Sequence, residues 1–532
     1  MPARRMDRQF ERRLAGLVNA REHGVLSGGL KGIEREALRV VPDGRISQAP
    51  HPRALGSALT HPHITTDYSE ALIELVTPPF TATWELQQYL CDIHQFVYRH
   101  LGDELLWVTS MPCVLGGDAE IPIARYGTSN IGRMKHVYRV GLGLRYGRVM
   151  QAISGVHFNY SFPERLWPIL QDIGEIKAGG QPFIDESYFA LLRNYRRFGW
   201  LVLYLFGISP AMCRSFFTGR EPPADLEPLG RGTLLGPHAT SLRMSDLGYR
   251  NKSQAGVHVS VNSLQEYVRD LTHLISTPHP EYEAHGVEVD GEWRQLNANV
   301  LQIENEYYSF IRPKRIAFSG ERPTRALLRS GVQYVELRSL DVSAFDPVGV
   351  NERKLYFLEA FAALCLLRAS APLTAEESAR YEDNHVQVAS RGREPGLRLW
   401  ADGASLPLAD WAAELLDHMQ GICELLDSGN EARPYSTALA LQRAKLVDPA
   451  QLPSARLLDE LRRQGASFFE LALGMSRLQR DYFRDLYPPD ERRLAEFRSE
   501  ADDSLLQQQA VESGDRLDFA SFVHRYLAGT LI

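Results

Sequence analysis

Among 532 residues, no apolar stretch is long enough to cross a bilayer. The most apolar run, Phe198 to Ile208, is interrupted by Gly199 and Gly207 and falls well short of the roughly 20 residues a span requires. No basic excess exists either. The formal charge is -7, against the footprint of a nucleic-acid protein. Cysteine is scarce: Cys91, Cys113, Cys213, Cys365 and Cys423 are scattered, odd in number and never spaced CxxC. That spacing indicates neither a zinc ribbon nor a thioredoxin-like site, and a reducing cytoplasm is the simplest setting, although one pair could still oxidise. GxxxxGK[ST], GxGxxG, HExxH and GxSxG are all absent; Gly141, Gly143 and Gly147 have the wrong spacing for a dinucleotide loop. The arginine-rich start has no apolar signal core, and Phe10, Leu14 and Leu17 predict an amphipathic helix instead. No internal repeat or low-complexity tract interrupts the chain.

What is present is a set of alternating segments with acids on otherwise apolar rows. In Gly28 to Val40, Glu34, Glu36, Leu38 and Val40 share one strand face, with Ile33, Arg35, Ala37 and Arg39 on the other. Taken alone this reads as a partly wet strand, since charged residues are mostly exposed. The arrangement recurs. Leu72, Glu74 and Val76 share a face, preceded by Asp67 on a bend. Gly155, His157, Asn159 and Ser161 lie opposite Val156, Phe158, Tyr160 and Phe162. Glu336, Arg338 and Leu340 oppose Val335, Leu337 and Ser339. Helical spacing appears from Thr83 to Gly102, around Tyr138 and Arg139, as one long helix from Asp185 to Phe206, and over Leu264 to Ile275. Val257, Val259 and Val261 predict a further strand. From Asn351 onward the pattern is helical, so Phe345-Asp-Pro347 is the predicted boundary between a region 1–350 bearing the chemistry and a helical region 351–532.

Carboxylates converging on one concave face would repel and raise one another's pKa, which divalent cations relieve. Oxygen-rich ligation with one imidazole suits Mg²⁺ or Mn²⁺, and carboxylate-held Mg²⁺ commonly carries phosphates. Arg338 and the Arg312-Pro-Lys314-Arg315 turn could take phosphate charge. Each residue also has a commonplace reading: His157 as a hydrogen-bonded strand histidine, Tyr138, Tyr249 and Tyr308 as half-buried aromatics, and Glu304/Glu306 as a solvated loop.

The strings GIEREALRV, HPHITTDYSEALIELVTP, YGTSN, QAISGVHFNYSFP, ATSLRMSDLGYRNKSQ, NVLQIENEYYSFIRPKR and YVELRSLDV resemble the proteobacterial class of glutamate–cysteine ligase, in order from about Gly28 to Val350. The resemblance implies an α+β fold like that of glutamine synthetase, a curved and mainly antiparallel sheet forming an open half-barrel. It implies ATP-dependent joining of the glutamate γ-carboxylate to the cysteine α-amine through γ-glutamyl phosphate, the first step towards glutathione. Glu34, Glu36, Asp67, Glu74, His157 and Glu336 would then hold Mg²⁺, with Mn²⁺ as a substitute. Arg338 and Asp67 would act in catalysis, and Asn159, Arg312, Lys314 and Arg338 would meet ATP. Tyr68, Tyr138, Leu142, Gln151, Arg243, Tyr249 and Tyr308 would shape the amino-acid pocket. Tyr68 stands where the resemblance implies Phe, adding a hydroxyl near the cysteine side chain. Cys113 matches a cysteine that can form a redox-responsive disulfide in the family, but no partner lies between 160 and 190, so little redox control is expected there. A cytoplasmic monomer acting on small molecules, without nucleic acid or membrane, completes the expectation. The competing readings are a ligase using another amine and a metal-binding protein without turnover. A fusion with a second ATP-dependent domain is disfavoured, because the helical tail lacks a Gly-rich loop.

Overall fold

The computed structural model describes residues 7–20, 24–175, 179–230, 232–248 and 257–531. Its centre is an antiparallel sheet running in the order Ile311–Lys314, Tyr334–Asp341, Gly155–Ser161, Leu30–Val40, Leu72–Val76, Ile64–Thr66, and Leu105–Leu106 pairs with the far end of the Leu30–Val40 strand. Four widely separated segments therefore become neighbours. Register then aligns their acids: Glu36 faces Glu74, Glu34 faces His157, and Glu336 lies between Arg312 and Asn159.

One sheet face carries Ile33, Ala37, Ile73, Leu75, Val156, Phe158, Tyr160, Val335 and Leu337, all buried in one large apolar cluster. Helices Thr83–His100, Gln181–Phe198 and Glu352–Leu367 contribute to that cluster, and residues on both sides of position 350 share it. On the other face, the apolar continuation of the acid rows is buried too. Leu38, Val40 and Leu72 join Leu105, Trp107, Leu457, Leu461 and Phe468 in a second cluster. Burial of Leu38 and Val40 explains why an acid row continues apolar. The strand is exposed at Leu30 and half-buried at Glu34, while Glu36, Arg35 and Arg39 are buried, so it is far drier than a partly wet strand.

Three sequence expectations are corrected. The helix predicted over 185–206 is two, Gln181–Phe198 and Trp200–Phe206. They part at Gly199, where a Cβ would stand 2.6 Å from the Tyr195 carbonyl oxygen and 2.8 Å from His385 Cε1. No strand forms over 257–261, because side chains rather than a neighbouring strand take the backbone groups. Asp270 accepts from the Ser260 N–H, and Arg196 donates to the Val259 carbonyl at 3.5 Å. A register shift after Leu337 sets Leu340 opposite Val156 and into the core, so it does not share the Glu336 face. The predicted helices at Arg8–Asn19, Asn130–Tyr146, Leu264–Ser276, Leu408–Leu426 and Pro453–Gln464 all form.

Among the described residues, no helix is long and apolar enough to cross a membrane.

Candidate active site

The polar sheet face floors a cavity of about 450 Å³. Glu34, Glu36, Glu74, His157 and Glu336 line it from the strands, and Asp67 and Tyr68 from the bend before Leu72–Val76. The helix Asn130–Tyr146 forms a wall through Lys135, Tyr138, Arg139 and Leu142. Ser129 caps that helix by accepting the Gly132 N–H, and Asn130 is tied to Asp515 and Leu517, which fixes where the helix starts.

His157 sits among three carboxylates. Its Nδ1 lies 3.1 Å from Glu34 Oε2 and 3.5 Å from Glu336 Oε1, and its Nε2 lies 3.6 Å from Glu36 Oε1. Ligand atoms of Glu34, His157 and Glu336 fall within 4.8 Å of one another, and so do those of Glu36, Glu74 and His157. A neutral imidazole has one lone pair, so His157 can ligate at one of these positions while its other nitrogen donates to a carboxylate. His157 Nε2 is buried without a hydrogen-bond partner, and Glu336 Oε2 has only the Lys314 ammonium, at 3.3 Å and outside hydrogen-bond geometry. Buried polar atoms are nearly always bonded, so both fit groups waiting on a ligand. Oxygen donors in excess of one nitrogen suit a hard divalent cation.

Charge is distributed unevenly across the floor. Burial, then Glu34, Asp67 and Glu36, push the Glu74 carboxyl well above the usual carboxylate range. Glu36 is raised by burial and by Asp67. Burial also opposes ionisation of Glu336, but Lys314, Arg338, His157 and Arg312 outweigh it and hold that carboxyl well below the usual range. Lys314 Nζ is 3.3 Å and Arg338 Nη1 2.7 Å from its oxygens. In Glu34, burial and Glu336 are outweighed by the His157 hydrogen bond and Lys314. One end of the floor is thus acid-rich and the other is flanked by cations.

Of the residues singled out from sequence, Tyr68, Tyr138, Leu142, Gln151, Tyr308, Arg312, Lys314 and Arg338 line the cavity with the acids. Asn159 is one step back, donating to Glu34 Oε1 at 2.8 Å. Arg243 lies beneath the floor, donating to the Arg338 carbonyl at 3.1 Å and lowering the Glu36 pKa by its charge. Tyr249 falls outside the described residues. Glu304 and Glu306 are not a solvated loop: both are buried. Arg322 pairs with Glu304 at 2.7 Å and Arg145 with Glu306 at 2.9 Å, and Glu306 itself reaches the cavity wall. Lys135, Arg139, Tyr146 and Tyr526 were missed. The recurrence of Ile131, Lys135, Tyr138 and Leu142 at helical spacing could have revealed the first of these. Burial, then Arg139, draw Lys135 down to about 8.

A second cavity, of about 340 Å³, shares Asn305, Arg312 and Lys314 with the first and is lined on its far side by Tyr267, Leu271, Leu327 and Tyr334.

Cys113 does have a partner, contrary to the sequence expectation. It is bonded to Cys213, which sits on the short strand Ala211–Cys213 beyond the stretch where a partner was sought.

Comparison with known proteins decides the family. A sequence profile described as glutamate-cysteine ligase matches residues 14–388. The chain belongs to the glutamate–cysteine ligase family. It is 47% identical to the glutamate–cysteine ligase of Alcanivorax borkumensis over 98% of this chain and 99% of that one. It is 49% identical to the enzyme of Azotobacter vinelandii, over 98% and 99%. The crystal structure of the glutamate–cysteine ligase from Francisella tularensis in complex with AMP matches at 35% identity. Its TM-score is 0.89, over 95% of this chain and 98% of that one. A bifunctional glutathione synthetase from Pasteurella multocida, 24% identical, shares the fold at a TM-score of 0.70, over 95% of this chain and 58% of that one. Membership of the glutamate–cysteine ligase family makes the chain a ligase, and the acid-floored cavity is its candidate active site.

Proposed function

We propose that the protein uses ATP to join the γ-carboxylate of glutamate to the α-amine of cysteine, giving γ-glutamylcysteine, ADP and phosphate. The observation that carries this is the two carboxylate–imidazole clusters set against Arg312, Lys314 and Arg338 on a single cavity floor. Mg²⁺, with Mn²⁺ as substitute, would be held by Glu34, His157 and Glu336 at one position. At the other, Glu36 and Glu74 would hold it, with Asp67 beside them. When bound, such ions neutralise phosphate charge and align it for in-line attack.

The chain's own groups do the rest. The adjoining cavity, part apolar and part cationic, takes the nucleotide, with its base near Tyr267, Leu271 and Leu327 and its phosphates passing Arg312 and Lys314. Arg338, held by Glu336, faces the phosphoryl group as a glutamate γ-oxygen bonds to the γ-phosphorus and ADP departs. The α-amine of cysteine then attacks the acyl carbon of γ-glutamyl phosphate, its proton passes to Asp67, and phosphate leaves. Tyr68, Tyr138, Leu142, Gln151 and Tyr308 shape the amino-acid end. The Tyr68 hydroxyl, buried without a partner, supplies a donor beside the cysteine side chain. Arg243 supports the floor from below, and Asn159 orients Glu34. In this reading the sheet is the open half-barrel of a glutamine-synthetase-like fold, and residues 351–532 brace it.

Phosphate release from ATP, measured with glutamate and cysteine, with cysteine omitted, and with Mg²⁺ omitted, tests the proposal. Release is expected to need glutamate and Mg²⁺ and to be greatest with cysteine. Release that ignores glutamate would reject it.

A further inference from the structure

Away from the acidic cavity lies a third concavity, of about 490 Å³. Phe206, the turn around Phe345 and Asp346, and helices Glu352–Leu367, Pro434–Val447 and Pro453–Gln464 line it, and it opens to solvent where Arg353 and Arg456 are exposed. It shares no lining residue with the acidic cavity.

Four cations line it: Arg353, Lys354, Lys445 and Arg456. Two carboxylates answer them, Asp346 and Asp448. Both carboxylates are already engaged. Asp346 accepts Lys354 Nζ at 2.8 Å and Asn351 Nδ2 at 2.9 Å. Asp448 accepts Gln451 Nε2 at 3.1 Å and the Ala450 N–H at 3.2 Å. Lys445 has only a neutral partner, the Leu205 carbonyl at 2.8 Å, and lies 4.9 Å from the Phe206 ring centre. Arg456 stacks on Phe345 at 4.7 Å. Among the described residues, neither Arg353 nor Arg456 forms an ion pair. Burial, then Lys354 and Arg456, pull Lys445 down to about 7 against the attraction of Asp346. Gln442, also in the wall, is buried with its Oε1 unbonded.

The cavity is therefore positive in a chain whose formal charge is -7. Crowded cations that outnumber the carboxylates beside them attract an anion, and its binding restores the proton that crowding drives off. The volume falls in the range of small-molecule pockets and exceeds what a bare phosphate fills.

We propose that this cavity binds a small metabolite bearing two or more carboxylate or phosphate groups, held by Lys445, Arg456 and Arg353. The guanidiniums suit two-oxygen recognition, and the Lys445 ammonium supplies a point charge beneath them.

Calorimetric titration of the full-length protein with citrate in one arm and pyrophosphate in the other tests this. Both arms use Mg²⁺-free buffer, with ionic strength fixed by KCl. At least one probe is expected to bind saturably, and Arg456→Ala and Lys445→Met should each weaken it at least tenfold. Arg312→Ala, in the acidic cavity, should leave that binding unchanged, and Arg456→Ala should keep wild-type ligase turnover. At pH 8, binding should take up a proton, seen as a dependence of the heat on buffer ionisation enthalpy. Lys445→Met should abolish that uptake. Absence of saturable binding by either probe overturns the proposal. So does binding that survives Arg456→Ala and Lys445→Met, whether or not Arg312→Ala removes it.

Discussion

The two faces of the Leu30–Val40 strand treat buried charge in opposite ways. On one face Lys31 and Arg39 have fixed partners within the protein. Lys31 Nζ is 2.7 Å from Glu359, whose carboxylate also accepts from Tyr160 and Tyr435. Arg39 is 2.8 Å from Glu104 and donates to the carbonyls of Ala49, Pro50 and Glu70. Between them Arg35 has no carboxylate within ion-pair distance, and burial draws it down to about 10. On the other face Glu34 and Glu36 join Glu74 and Glu336 around one histidine, with more negative charge than the cations beside them are placed to match. A buried charge matched inside the chain holds the fold together. Unmatched carboxylates that line an open cavity mark a place for something that comes and goes, whereas Arg35, unmatched but outside the walls of all three cavities, marks none.

Breaking the unmatched face should have the largest effect. Glu336→Gln keeps the shape of the side chain while removing a ligand and the anchor of Arg338. Turnover should fall by roughly 10³-fold, with a far-ultraviolet spectrum like that of the wild type. Phosphate release at saturating Mg²⁺ measures it, and near-normal turnover would remove Glu336 from the proposed cluster.

Breaking the matched face should do the reverse. Glu359→Gln leaves the Lys31 ammonium buried beside a neutral amide, and a loss of about 3–5 kcal/mol in unfolding free energy is expected. Turnover per folded molecule should stay near normal below the new transition. The double change Lys31→Met with Glu359→Leu should recover much of the loss, because two matched charges are replaced by apolar groups. A double change as damaging as the single one would show that Glu359 acts through Tyr160 and Tyr435 instead.

The apolar end of the acid face gives a smaller test. Cys113 and Cys213 lie in the same cluster as Leu38, Val40 and Leu72, and their bond spans a sequence separation of 100. Cys113→Ser should cost about 2–4 kcal/mol of stability by freeing the unfolded chain, with turnover per folded molecule unchanged. A reductant-dependent change in wild-type turnover that disappears in Cys113→Ser would make the bond a switch as well as a brace.

Much of the floor was legible because strand alternation is local. Glu34/Glu36, Glu74, His157 and Glu336 each announce their face within a few residues, and register then places them together. What stayed illegible depends on partners far along the chain. Nothing near Glu304 and Glu306 indicates that Arg322 and Arg145 bury them. Nothing in residues 103–150 indicates that Cys113 meets Cys213. Leu340 was misplaced because a register shift changes the phase of alternation without leaving a glycine or proline to mark it. Gly199 falls inside the single helix expected over 185–206; a Cβ there would meet the Tyr195 carbonyl and also His385, on a helix nearly 200 residues later.

Lys445 sharpens the comparison from a third position, since it has neither an internal carboxylate nor a place in the acid cluster. Its native pKa is depressed to about 7, whereas in the unfolded chain it returns to the ordinary 10.5. Between those values the unfolded state binds the extra proton, so stability rises with pH across this window. Below about 7 both states are protonated, and the native state carries the full cost of a crowded ammonium. Unfolding free energy of the wild type in anion-poor buffer should therefore climb between pH 7 and 9, by at most about 1.4 kcal/mol per pH unit from this group. Lys445→Met should be more stable than the wild type at pH 7 and should flatten the climb. Denaturant titrations at pH 7, 8 and 9 would show it. An unchanged slope in the variant would mean that Lys445 keeps its proton in the native state, held by Asp346 despite Lys354 and Arg456.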